Sequence, residues 1–246
     1  LVAPEADLYG VADGIGGHQG GEVASALAVQ IIAELATEPS LHTLVDAVRQ
    51  ANRRIFETAG SDPDLHGMGT TFVAIQLVDS PEGDEVGWVN VGDSRLYLFR
   101  DDDVIQLSED HSLVEELVRD GQLSPEEAKV HPQRNVVTRS LGIDLDVNVD
   151  SGRLLPFTND RFVLCSDGLS NEVSTDQMGA TLRRLAEPQE VADELVRLAN
   201  EGGGRDNITV VVVDVLDDGG RSQRASEILA AQAATAAAMT VPEGDG

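Results

Sequence analysis

The sequence predicts an α+β domain built on largely antiparallel sheet. Three observations carry that expectation: apolar strands come in runs rather than in strict β-α-β alternation, helical segments fall in pairs between those runs, and no self-similarity of solenoid length is present. At 246 residues with 41% hydrophobic content, the chain is long enough to bury a large core as one sizeable domain or two small ones.

The first strand is Leu8-Tyr9-Gly10-Val11-Ala12, which runs into a Gly-rich segment from Asp13 to Glu22. A helix follows with Val23, Leu27, Ile31 and Leu35 four residues apart on one face, stopped by Pro39. Leu44, Val48, Ala51 and Ile55 define a second helix that ends near Gly60. After a polar connection over 61–68, residues 69–78 have β-branched strand composition, and a turn follows from Pro81 to Asp84. Strands over 87–91 and 95–99 flank Gly92-Asp93-Ser94, and a turn at 101–103 leads into 104–107, which reads as a β-meander. Residues 112–130 are helical and charged; Ser124-Pro125 has the form of an N-cap followed by Pro at the first helical position, and His131-Pro132 closes the insert. A strand over 161–165 meets Ser166-Asp167-Gly168, two helices cover 175–186 and 189–200, and Asp206-Asn207 leads into a last strand over 208–215. Residues 1–216 therefore read as the folded domain. Residues 217–246, Ala-rich over 228–239, read as a tail or linker outside the core.

Lys and Arg total 17 against 44 Asp and Glu, a formal charge of −27 that repels nucleic-acid phosphates, and the arginines are scattered rather than gathered in a patch. Nucleic acid is disfavoured as a partner on that ground. Cys165 is the single cysteine, so a disulfide scaffold is excluded. Charges interrupt every apolar stretch well before the ~18 residues a membrane span needs, and no signal segment opens the chain, so a soluble, cytoplasmic domain is expected.

Asp13, Asp93, Asp167 and Asp206 each flank an apolar strand and adjoin small residues: Gly14, Gly92 with Ser94, Gly168, and Asn207. Any one of them alone is an ordinary turn signal. Asp13 and Asp167 depart from that reading, because a helix rather than a returning strand follows each. If the four converge, each carboxylate pair at ~4 Å costs about 4 kcal/mol at an effective dielectric of ~20, so a cation is needed to hold them together. Hard oxygen ligands select Mg²⁺ or Mn²⁺. Spacing alone does not establish the convergence, since the strand ends could lie at opposite sheet edges.

Gly14, Gly16, Gly20 and Gly21 before a helix resemble a phosphate cradle. A dinucleotide fingerprint from Gly14 needs Gly where Gln19 stands, no Gly-Lys-Ser/Thr follows, and Asp13 would repel a bound phosphate. A metal on Asp13 that faces the phosphate removes that conflict. A cysteine phosphatase needs Arg where Asn171 stands, and Cys165 reads as a buried strand residue. Five dispersed histidines without a His-x3-His pair do not support zinc, and His42 and His66 read as surface residues.

With these residues in place the chain resembles the bacterial type 2C metal-dependent Ser/Thr protein phosphatases over about residues 7–215. Five ordered blocks carry the resemblance: Val11-Ala-Asp-Gly-Ile-Gly-Gly-His18 with Gly21-Glu22, Gly69-Thr-Thr, Val91-Gly-Asp-Ser-Arg95, Leu164-Cys-Ser-Asp-Gly-Leu169, and Arg205-Asp-Asn-Ile-Thr209. It implies a four-layer α/β/β/α sandwich of two antiparallel β-sheets flanked by helices, with two to three Mn²⁺ or Mg²⁺ ions in a cleft at one edge. It further implies that Asp13 bridges two metals, that the Gly14 carbonyl joins the first, that Asp167 and Asp206 complete the second, and that Asp93 with Asp167 forms a third site. A metal-bridging water would attack phosphoserine or phosphothreonine on a protein, with His18 as general acid for the leaving alkoxide. His111 and Arg95 are expected to be structural, Arg95 through a nearby carboxylate. The insert between Asp110-His-Ser112 and Arg139-Ser-Leu-Gly142 resembles the flap of the branch that opposes Ser/Thr kinases, which implies such a kinase as a partner and a monomer in the cytoplasm, free or as the cytoplasmic part of a membrane-anchored protein.

Two departures stand out. Ile15 replaces the usual Met, a volume-conserving change. The sequence also begins after the family's strand with a phosphate-binding Arg and its Asn-Glu-Asp segment, so an N-terminally incomplete phosphatase is expected. Alternatives from other classes are a non-catalytic phosphatase-fold binding or scaffold protein, and a nucleotide-binding protein that uses the Gly14 to Gly21 loop.

Overall fold

In a computed structural model, residues 1–15, 18–81 and 83–223 are described, except for the side chain of His18. In chain order the elements are β1 (Val2–Ala3), β2 (Leu8–Val11), β3 (Gly14–Ile15), α1 (His18–Leu35), α2 (Leu41–Ser61), β4 (Gly69–Thr70), β5 (Phe72–Val78), β6 (Glu85–Val91), β7 (Arg95–Arg100) and β8 (Asp103–Gln106). They continue with α3 (Leu113–Arg119), α4 (Pro125–Val130), β9 (Asp150–Leu154), β10 (Arg161–Cys165), α5 (Asp167–Ser170), α6 (Thr175–Arg184), α7 (Pro188–Gly202) and β11 (Val210–Asp214). One sheet has the order β1-β2-β5-β6-β9 and the other β11-β10-β7-β8, with a short β3-β4 ladder apart from both. Every pairing is antiparallel.

Three apolar layers explain the sandwich. Val11, Val73, Ile75, Leu96, Leu98, Phe162 and Leu164 meet between the sheets. Phe72, Ala74, Val89 and Val91 face α1 and α2 on one outer side, and Val163 and Cys165 face α6 and α7 on the other. Alternate residues of β10 thus point to opposite faces and all are buried, which is why the strand reads as an unbroken apolar run. Each large aliphatic side chain taken fully from water contributes about 1.5–3 kcal/mol, so the shared middle layer locks the two sheets face to face.

Three sequence expectations are revised. In α1 the fully buried residues are Ala24, Ala28 and Ile32, one position on from the predicted stripe, and Leu35 is exposed. The small alanines let α1 approach α2 closely, whereas the larger Val23, Leu27 and Ile31 pack at its flank. α2 matches its stripe, with Leu44, Val48, Ala51 and Ile55 at 0% exposure. Strands β6, β7 and β8 are not one meander: β6 belongs to the first sheet and β7 and β8 to the second, so Gly92-Asp93-Ser94 crosses between sheets. The charged insert is two short helices broken at Gly121, whose φ of +69° suits glycine. The Ser124 capping box starts the second of them.

The segment after the insert is fastened to α2 by buried Asn52, whose side chain accepts from Gly142 N at 2.8 Å and donates to the carbonyls of Asp144 and Leu145. Beyond residue 216, buried Asp218 accepts from the amides of Thr158, Arg221 and Ser222. The Ala-rich stretch over 228–239 lies outside the described residues. Among the described residues no helix is long and apolar enough to cross a membrane.

Candidate functional site

Strand register gathers the aspartates. Val11 at the end of β2 pairs with Val73, and Phe72 beside it pairs with Val91 at the end of β6, so Asp13 and Asp93 leave the first sheet at the same edge. In the second sheet Cys165 pairs with both Arg95 and Val210, which puts Asp93, Asp167 and the approach to β11 from Asp206 at one edge as well. Because Gly92-Asp93-Ser94 steps directly from one sheet to the other, the two edges form the mouth of the same cleft.

Backbone proximity fixes the loops. A Cβ on Gly14 would lie 2.2 Å from the Gly21 carbonyl oxygen, and one on Gly168 would lie 2.2 Å from that of Asn207, so both glycines permit a close approach no other residue allows. Ser166 completes the second junction: its Oγ donates to Asn207 O at 3.1 Å and accepts from Thr209 N at 3.0 Å. At the first, Thr71 Oγ1 accepts from Asp13 N at 3.0 Å and lies 2.7 Å from Ser94 Oγ, while Thr70 Oγ1 donates to Asp13 O at 2.8 Å. Thr70 and Thr71 therefore couple the Asp13 turn to the Asp93 turn. The Gly-Thr-Thr block was visible in the sequence, but nothing there gave it this task.

The carboxylates act on one another. Burial, then Asp167 and Asp206, push Asp13 up to about 7. Burial, then Asp167 and Asp110, push Asp93 up to about 7, and burial followed by Asp206 raises Asp167. Such mutual elevation is the signature of like charges held together in a partly desolvated place. The nearby cation is engaged elsewhere: Arg95 holds Asp110 through contacts of 2.7–3.0 Å and also reaches Tyr97 Oη at 3.1 Å. Among the described residues none of the four aspartates joins an ion pair with a basic side chain.

Hard oxygen donors that burden each other in this way fit a divalent cation. Among the described residues no group of three or more His, Cys, Asp or Glu side chains is drawn close enough to hold a metal ion by itself. Mg²⁺ and Mn²⁺ are held by one or two carboxylates together with retained waters, so oxygen donors of this kind suit them better than they suit a structural zinc site.

The other singled-out residues fall as follows. Gly14 pairs with Thr70 in the β3-β4 ladder. The backbone of His18 opens α1 just after the Asp13 turn, and its side chain lies outside the described residues. Cys165 is fully buried, which pushes its thiol up to about 12 and removes it as a nucleophile. His42 is a surface residue beside Asp46. A concavity of about 310 Å³ between α2 and the 145–148 loop, lined by Arg49, Asn52, Arg53 and Leu145, shares no residue with the aspartates.

Known proteins resemble this chain in sequence and in fold. Residues 2–200 match the protein phosphatase 2C family. The chain is 43% identical over 213 residues to a serine/threonine phosphatase, stp, of Listeria innocua, covering 83% of this chain and 82% of that protein. It is 43% identical over 224 residues to the serine/threonine protein phosphatase PstP of Mycobacterium tuberculosis, covering 89% of this chain and 42% of that one. The crystal structure of Mycobacterium tuberculosis PstP superimposes with a TM-score of 0.78 at 40% identity, over 86% of this chain and 89% of that one. The PstP catalytic domain in complex with two manganese ions gives 0.75 at 41% identity, over 86% of this chain and 88% of that one. The chain belongs to the protein phosphatase 2C family of serine/threonine protein phosphatases.

Proposed function

We propose that residues 1–216 form a catalytic domain that hydrolyses phosphoserine and phosphothreonine on proteins at the cleft edge, with residues 217–246 as a tail or linker. The observation that carries this reading is the convergence of four aspartates, with Asp13 and Asp93 each raised to about 7. Asp13, the Gly14 carbonyl, Asp167 and Asp206 would hold two Mn²⁺ or Mg²⁺ ions, and Asp93 with Asp167 a third. When bound, the cations supply an acidified water nucleophile and neutralise charge that develops on the phosphoryl oxygens.

The chain's own residues supply the rest. Thr70 and Thr71 hold the Asp13 turn, and Ser166 holds the 206–209 segment against the Asp167 turn, so the carboxylates are placed before substrate arrives. His18, at the start of α1, is the proposed general acid for the leaving serine or threonine oxygen, a task for which an imidazole group is suited because it can both hold and release a proton. Cys165 and Arg95 take no direct part. The proposal extends to a role in bacterial signalling opposite Ser/Thr kinases, in the cytoplasm, with the chain acting as a monomer.

The deciding experiment is Mn²⁺-dependent hydrolysis of p-nitrophenyl phosphate and of a phosphothreonine peptide. Activity that requires the cation and is abolished in Asp167→Ala is expected. A folded protein with no such activity returns the chain to a scaffold role.

A further inference from the structure

The segment 108–111 runs alongside 92–96 and grips it on both sides of Asp93. On the far side, Ser108 Oγ accepts from Leu96 N at 2.9 Å, and Asp110 binds Arg95. On the near side, His111 takes both backbone groups of Gly92: its own amide donates to Gly92 O at 3.0 Å, and its Nδ1 accepts from Gly92 N at 3.0 Å. Gly92 has φ +110°, and a Cβ there would sit 2.6 Å from the side chain of Thr71, so the turn is both glycine-dependent and tightly seated. Asn90 adds Nδ2 contacts to Gly92 O at 3.3 Å and Glu109 O at 2.9 Å.

An acceptor at Nδ1 fixes the tautomer, with the proton on Nε2. Nε2 donates to Asp150 Oδ2 at 3.0 Å and also lies 2.9 Å from Arg139 Nη1, whose proton goes to the other oxygen of that carboxylate at 2.6 Å. The ring is buried, with 5% of the residue exposed. Both imidazole nitrogens are thus committed, Nδ1 to the turn and Nε2 to the Asp150–Arg139 pair that orients the ring. This is the arrangement by which residues outside a cation's ligand set orient that set.

We infer that His111 is a positioning residue for Asp93: its Nδ1 holds the Gly92 amide, and Asp150, itself held by Arg139, holds the ring in the tautomer that makes this possible. The inference rests on the assignment of Asp93 as a cation ligand. Its consequence is that loss of the Nδ1 acceptor loosens the 92–94 turn and weakens cation binding through Asp93, whereas loss of the outer contact alone has a smaller effect.

The full chain is compared as wild type, His111→Phe, which removes both nitrogens, and His111→Asn, whose amide oxygen occupies the place of Nδ1 but does not reach Asp150. Two measurements are made: hydrogen exchange at the Gly92 amide in cation-free protein, and calorimetric titration with Mn²⁺, in which the Asp93-dependent step is defined by its loss in Asp93→Asn. His111→Phe is expected to accelerate Gly92 exchange at least tenfold and to weaken that step by about 10- to 100-fold, the range for residues that orient metal ligands. His111→Asn is expected to restore most of both. If His111→Phe does not fold, His111→Gln, which keeps an Nε2-like donor without the Nδ1 acceptor, takes its place with the same expectation. A wild type that binds no Mn²⁺ overturns the cation-site reading and this role with it. Binding that depends on Asp93 but is unchanged within twofold in His111→Phe or His111→Gln overturns the inference alone, as does a His111→Asn protein as impaired as the variant without an acceptor.

Discussion

Gly168→Ala tests the closeness on which the Asp167 and Asp206 half of the site depends. The added methyl would start 2.2 Å from the Asn207 carbonyl oxygen and 3.0 Å from its carbon. Ordinary contact begins at 3.4 Å, so the backbone at 206–207 must retreat by about 1.2 Å. The obstructing atom is backbone, and that backbone is tied to Ser166 by bonds of 3.1 and 3.0 Å, so no side-chain rotation relieves the overlap. Asp206 moves with its neighbour. A misplacement of about 1 Å costs on the order of 10²-fold in rate when reacting groups depend on geometry. Overpacking of this kind also destabilises by about 1–3 kcal/mol. The assay is kcat/KM for p-nitrophenyl phosphate under saturating Mn²⁺, with Mn²⁺ affinity by calorimetry and stability by urea unfolding. The expected result is a loss near 10²-fold in kcat/KM, with weaker cation binding in a protein that still folds. An alanine variant within twofold of wild type in both would refute the claim that this contact places Asp206.

Other expectations follow from the same geometry. Thr71→Val keeps the shape but leaves Asp13 N without its acceptor and Ser94 Oγ without its partner; a loss of about 1–3 kcal/mol by urea unfolding is expected, together with weaker Mn²⁺ binding, whereas an unchanged midpoint counts against the coupling. Asp13 and Asp93 are raised from 3.8 to about 7, so the cation-free folded state keeps protons that the unfolded chain releases between those values. Its stability is therefore greatest below pH ~3.8 as far as these groups contribute, and that contribution is lost as pH rises through about 7. In EDTA, Asp13→Asn is expected to show a shallower fall in melting temperature from pH 5 to pH 8 than wild type, and in wild type Mn²⁺ affinity is expected to climb over the same range; parallel melting curves argue against shared protonation. Cys165→Ala is expected to retain activity, and iodoacetamide to leave the folded wild type active, because the thiol is buried and its pKa lies at about 12.

Much of this protein is written locally. The α2 stripe, the β10 run and the Ser124 cap depend on periodicity and on neighbours a few residues away, so the sequence alone determines them. The ordered Asp-Gly, Gly-Asp-Ser and Asp-Asn blocks likewise mark the candidate site. Register and sheet membership are different, because they depend on partners far along the chain. β6 and β7 read as adjacent strands of one meander, and only the packing of the middle apolar layer assigns them to separate sheets and sets Asp93 across the gap. The inward face of α1 differs from its apolar stripe for a related reason: the sequence ranks Leu27 and Ile31 above Ala24 and Ala28, but helix-to-helix distance favours the smaller side chains. The approach of Asp13, Asp93, Asp167 and Asp206 to one another, the elevation of Asp13, Asp93 and Asp167 that follows from it, and the grip of His111 on Gly92 arise from contacts across tens of residues, which no local pattern encodes. The sequence determines which acidic side chains are candidates for the site, and the tertiary structure decides which of them stand close enough to act on one another.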